Sequence, residues 1–161
     1  VRRASVPDDV WRAQGYLMAT EGNVVNYDFI EKFIEDLGTK YHILEIAVDR
    51  WNATMLTQHL MDDGFTMVPF GQGYKDMSPA TKEFYKLLME ARIAHGGNPV
   101  LRWMSGNVVV EQDAAENIKV TKAKSPEKID GIVAAIMAVD RAVRNQGNCE
   151  SVYDNRGIII L

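Results

Sequence analysis

The chain has 161 residues, 47% of them hydrophobic and 25% charged, with a net charge of −4. That size and balance suit one packed domain and exclude a disordered or fibrous chain. The single cysteine, Cys149, excludes an internal disulfide framework, and the longest apolar run, Ile132 to Val139, falls far short of the ~20 residues of a membrane span.

The predicted elements alternate between helix and strand. Ile30, Phe33, Ile34 and Leu37 share one helical face, with Asn26 as N-cap and Gly38 as stop. His42 to Val48 reads as a buried strand. Asn52 caps a second helix through Ala53, Leu56 and Leu60 to Gly64, and Phe65 to Phe70 is a second strand that ends in the Gly71-Gln72-Gly73 loop. Ser78-Pro79 opens a helix carrying Phe84, Leu87, Leu88 and Ala91, and Asn98-Pro99 opens a shorter one through Leu101, Trp103 and Met104. Val108–Val110 and Ile118–Val120 pair as an antiparallel hairpin. Ser125-Pro126 opens the last long helix, with Ile129, Ile132, Val133 and Ile136 on one face, and residues 146–161 form a tail that closes on Gly157 to Leu161. This order predicts an α/β domain with at least one parallel strand pair and no internal repeat.

With 18 basic and 22 acidic residues and a pI near 5.4, bulk charge does not hold this chain to nucleic acid. A local stripe does stand out. Between Lys119 and Lys128 there are four lysines (Lys119, Lys122, Lys124, Lys128) against one acid, Glu127. Such a stripe reads either as phosphate contacts or as an ordinary solvated loop.

Two acids carry the chemistry. Asp49 ends an apolar strand at the carboxyl edge, where open α/β sheets place their ligand sites, and shares a face with Glu45 and Ala47. On position alone the commoner reading of such an aspartate is the cap of a turn before Trp51 and Asn52. Asp130 lies at the start of a helix whose next residues, Gly131 to Val139, carry no charge. An acid there is costly unless paired, metal-bound or near the surface, although the helix N-terminus favours it. Together the two carboxylates suit hard divalent ions, which take oxygen ligands and, in pairs, stabilise the attacking and leaving oxygens of phosphodiester hydrolysis. His42, His59 and His95 show no zinc spacing, Gly71-Gln72-Gly73 is a lone GxG, and neither Ser105 nor Cys149 carries a nucleophile signature.

Six stretches resemble the C-terminal part of tailed-bacteriophage large terminase subunits. They are Gly15 to Phe29, Val48 to Ala53, Asp63 to Gly73, His95 to Trp103, Lys124 to Gly131 and Ser151 to Gly157. They occur in the family's order over nearly the whole chain. The resemblance implies an RNase H-like mixed sheet flanked by helices, forming a nuclease that cuts concatemeric viral double-stranded DNA. It implies Asp49 and Asp130 as catalytic, metal-ligating acids for two Mg²⁺ or Mn²⁺ ions; beside them the charge stripe offers Lys119, Lys122, Lys124 and Lys128 as candidate phosphate contacts. The resemblance also implies a small terminase subunit and a portal protein as partners, and the host cytoplasm as the site of action.

The family's first metal-binding acid lies on a strand before the Trp11–Gly15 segment, and its packaging ATPase lies further upstream. The start at Val1, followed by Arg2-Arg3, therefore reads as a piece of a longer chain, short of its first strands and of a third acid. The alternative is a catalytically incomplete remnant that tracks DNA or docks on a packaging motor.

Overall fold

A computed structural model describes residues 6–22, 24–49 and 54–145. The expected roles of Trp51, of Asn52 as a cap, of Cys149 and of the 146–161 tail lie outside the described residues. The elements in order are α1 (Asp8–Ala13), α2 (Tyr27–Lys40), β1 (Ile46–Asp49), α3 (Thr54–Asp62) and β2 (Met67–Phe70). They continue as α4 (Tyr74–Met89), α5 (Pro99–Gly106), β3 (Val110–Gln112), β4 (Ile118–Val120) and α6 (Asp130–Asn145). Among these, no helix is long and apolar enough to cross a membrane.

The expected parallel pair is β1 with β2, joined through α3, with Ile46 opposite Met67 and Asp49 opposite Phe70. Pro69 is tolerated because, among the described residues, β2 pairs on one side only, and no ladder N–H is needed on the other. The expected hairpin is β3 with β4. Its turn is built by Asp113, whose carboxylate accepts from the amides of Ala115 and Asn117 and from the Asn117 side chain, each at 2.9 Å. Among the described residues the two pairs form separate two-stranded sheets, not one mixed sheet. Helices α4 and α6 pack between them, so the hairpin bonds to α4, not to β1 or β2: Ser78 Oγ accepts from the Ile118 amide at 3.2 Å.

The core gathers on α6. Ile129, Ile132, Val133, Ile136 and Met137 pack with Phe70, Met77 and Ala80, all buried, and with half-buried Ala47, Leu101, Met104 and Val120. The last helix is therefore the floor on which both sheets and both neighbouring helices rest.

Local signals held where nothing distant competed. Asn26 caps α2 by accepting from the Phe29 amide at 2.9 Å, and Asn98 caps α5 by accepting from Leu101 at 3.0 Å. Several expected boundaries move. Strand β1 covers Ile46–Asp49 where His42 to Val48 is expected, β2 covers Met67–Phe70 where Phe65 to Phe70 is expected, and β3 covers Val110–Gln112 where Val108–Val110 is expected. Helix α4 starts at Tyr74, so Pro79 lies inside it, because Ser78 is buried and its hydroxyl serves β4 rather than capping. Helix α6 starts at Asp130, not after Ser125, because the Ser125 hydroxyl donates to the Thr121 carbonyl at 2.7 Å and accepts from the Val109 amide. Helix α2 continues through Gly38 to Lys40. There the Phe65 ring lies so close that a Cβ on Gly38 would sit 2.9 Å from it.

Candidate metal centre

A cleft of about 640 Å³ opens between α6 and the free edge of β1 with its preceding residues. Asp49 lines it from the C-terminal end of β1, and Asp130 from the first residue of α6. Gln72, just beyond β2, and Lys122, just beyond β4, also line it. The two acids singled out in the sequence thus meet in one cleft, although they lie far apart in the chain.

Each wall is fixed by packing behind it. Ile129, only 1% exposed, anchors the residue before Asp130, and its carbonyl accepts from the amides of Ile132 and Val133. Gly131 lets α5 approach: its N–H donates to Met104 Sδ at 3.2 Å. On the strand side, the Ile46 amide donates to the Thr66 carbonyl at 2.9 Å, which ties β1 to the segment entering β2.

Lys122 Nζ donates to Asp130 Oδ1 at 2.5 Å. This contact above all, with the Lys122 and Lys128 charges adding to it, holds the Asp130 carboxyl below the usual aspartate range against the opposing effect of burial. At the other end of the cleft Arg141 grips Glu45 with two bonds, at 2.6 and 3.0 Å. The Arg141 hydrogen bond likewise lowers the Glu45 carboxyl, again against burial. Glu45 shares the cleft with Asp49 but is engaged as a structural partner of α6.

The four-lysine stripe divides. Lys124 pairs with Glu111 at 2.8 Å, and Lys119 lies 4.8 Å over the Tyr74 ring. Lys122 and Lys128 gather beside Asp130 in a second, shallower recess with Ser125 and Pro126.

The acids lining the first cleft offer carboxylate oxygens, and among the described residues no histidine or cysteine lines it, so its residues fit a hard cation such as Mg²⁺ or Mn²⁺ better than zinc with nitrogen and sulfur ligands. A tighter carboxylate group lies elsewhere. Glu31, Glu35 and Asp63 bring three ligand atoms within 4.8 Å of one another, on α2 and just after α3. It was not anticipated, although Glu31 and Glu35 stand one helical turn apart and their i,i+4 spacing was readable. Glu31 there bonds His59 at 2.9 Å and Glu35 accepts from Lys32 at 3.2 Å. The Lys122–Asp130 contact left no trace in sequence pattern, because it spans a loop.

Asp49 at a strand end and Asp130 at a helix start thus line one cleft of an α/β domain. The chain belongs to the family described as terminase large subunit, endonuclease domain, whose sequence model matches residues 2–146. It is 38% identical over 138 residues to the terminase large subunit of Enterobacteria phage HK97, covering 84% of this chain and 27% of that protein. It is 33% identical over 144 residues to Protein YmfN of Escherichia coli K12, covering 88% of this chain and 32% of that one. The crystal structure of the HK97 bacteriophage large terminase superposes with a TM-score of 0.78 at 37% identity, over 84% of this chain and 29% of that one. The chain thus spans about a third or less of the length of these relatives.

Proposed function

We propose that this chain is a metal-dependent DNA endonuclease domain of a phage packaging terminase, acting on concatemeric viral double-stranded DNA in the host cytoplasm. In this reading the chain is a single terminase nuclease domain of RNase H-like type. The observation that carries the reading is the convergence of Asp49 and Asp130 on one cleft, in a chain whose family is the terminase endonuclease domain.

In this reading Asp49 and Asp130 would hold the divalent ions, Mg²⁺ or Mn²⁺, from the end of β1 and the start of α6. Bound there, two ions supply Lewis acidity for phosphodiester hydrolysis, activating the attacking water and stabilising the leaving 3′ oxygen. Lys122 and Lys128 draw the DNA backbone to the cleft mouth and Lys119 extends the contact along the hairpin side, while Lys124, paired with Glu111, adds little. The ATPase, the small terminase subunit and the portal protein complete the packaging machine around this domain.

The test is nicking of supercoiled plasmid in Mn²⁺ by a chain extended upstream, beside its D49A and D130A variants. Loss of cutting in both is expected; undiminished cutting in both sinks the assignment. A second reading, a catalytically silent DNA-tracking or motor-docking module, is favoured by the engagement of Glu45 with Arg141, which turns one of the three acids lining the cleft into a structural partner of α6. Retained DNA or portal binding without any Mn²⁺-dependent nicking by the extended chain would select it.

A further inference from the structure

The contact between Lys122 and Asp130 is more than one more phosphate-binding lysine near an acid. The ammonium occupies Oδ1, one of the two carboxylate oxygens through which Asp130 would hold a cation. A divalent ion bound at about 2.1 Å from that oxygen would face the ammonium across a very short gap, so both cannot hold it at once without one moving away.

The two partners are free to exchange because neither is enclosed. Their side chains are 61% and 55% exposed, whereas their backbones are pinned. Thr121 is buried and its amide donates to the Val109 carbonyl, and Ile129 anchors the other side. The lysine head can therefore swing while its root stays beside the cleft. Lys128 is an internal comparison: it acts on Asp130 through its charge, while Lys122 also donates a hydrogen bond.

We propose that Lys122 is a built-in competitor for the divalent cation at Asp130, displaced when a DNA phosphate recruits its ammonium. The proposal rests on the metal-centre reading above. Off DNA, the lysine neutralises the carboxylate and weakens cation binding. On DNA, the phosphate takes the ammonium, and the freed carboxylate binds the cation more tightly. Linkage makes the effect reciprocal, so the cation strengthens DNA binding by the same factor. Lys122 is then a positioning residue that couples occupancy of the metal centre to the presence of substrate.

The experiment is calorimetric titration of Mn²⁺ into the same upstream-extended chain used for nicking, alone and with a phosphorothioate duplex that resists cleavage. Wild type is compared with K122M, K122R and K128M, each checked for an unchanged circular dichroism spectrum. The pair is exposed, so K122M is expected to bind Mn²⁺ about threefold to fivefold tighter than wild type without DNA, with K122R close to wild type. K128M stays within about twofold of wild type, because through-space repulsion between exposed charges is screened. The duplex raises wild-type affinity by a factor similar to the K122M gain and raises K122M by less than about twofold.

Equal affinity of K122M and wild type overturns the proposal, and so does an equal gain in K128M. Binding that persists in D130A instead removes the metal-centre reading itself. Binding that needs Asp130 but ignores Lys122 removes only the competitor. Absence of Mn²⁺ binding in wild type and K122M, with and without duplex, removes both.

Discussion

Replacing Gly131 by alanine tests whether the start of α6 is set by close packing or by helix propensity. Propensity alone predicts a gain of up to about 1 kcal/mol in a helix interior, and less in the first turn where Gly131 sits. Packing predicts the opposite. A Cβ at Gly131 would lie 2.9 Å from Met104 Sδ and 3.2 Å from Leu101 Cδ1, both on α5. Met104 packs against the core and its sulfur accepts from the Gly131 amide, so turning it away forfeits both contacts. Overpacking of this kind costs about 1–3 kcal/mol, which outweighs the propensity gain and leaves a net loss of about 1 kcal/mol. For a chain of this size that is a fall in Tm of about 2–4 °C, measured by circular dichroism melts. Trimming Met104 in a G131A/M104A double variant should recover part of the loss, so the two effects are less than additive. A G131A protein more stable than wild type would refute the packing argument.

Two further outcomes follow from charge. The Glu45 carboxyl is depressed chiefly by its hydrogen bond from Arg141, so its contribution to stability is present above the unfolded value near 4.5 and is lost as pH falls through the lower folded value. Urea unfolding from pH 6 down to pH 3 should therefore show a decline that E45Q flattens; an unchanged slope in E45Q discards the link. His59 is raised chiefly by its hydrogen bond to Glu31, so the stability it adds is complete below about 6.5 and disappears as pH rises through the higher folded value. The H59Q variant should lose that dependence between pH 6 and 8, and amide exchange on α2 and α3 would reveal whether the contact is where it acts.

The signals that could be read from the chain were local ones. Asn26 and Asn98 cap their helices because each side chain reaches the amide three residues on, with no distant partner competing. Ser78-Pro79 and Ser125-Pro126 carry the same signature and cap nothing. Their hydroxyls are taken by Ile118 in one case and by Thr121 and Val109 in the other, contacts that only the folded chain creates. Gly38 fails as a stop for the same kind of reason, since Phe65 arrives from beyond α3 to cover it. The site follows this division. Asp49 is conspicuous as an acid closing an apolar strand, and Asp130 as an acid opening an uncharged helix. Their convergence, and the capture of Asp130 by Lys122, depend on how α6 lies across β1 and how the loop after β4 folds back.

The same folding back changes what the lysine stripe means. In sequence, Lys119 to Lys128 carries a local balance of +3, as if four charges were available to a phosphate backbone. In the fold, Lys124 is neutralised by Glu111, whose carboxyl that contact pulls down, and Lys122 by Asp130, while Lys119 rests over Tyr74. DNA affinity by counterion release scales with the number of phosphates neutralised, and a lysine already paired with a carboxylate adds little until that carboxylate finds another cation. A cation at Asp130 releases Lys122 and leaves the Lys124–Glu111 pair untouched. The salt dependence of DNA binding should therefore steepen by about one charge when Mn²⁺ is added to wild type, and by none when it is added to K122M. Measured by anisotropy of a labelled duplex across a salt series, equal slopes with and without Mn²⁺ in wild type would show that Asp130 and the DNA do not share this lysine.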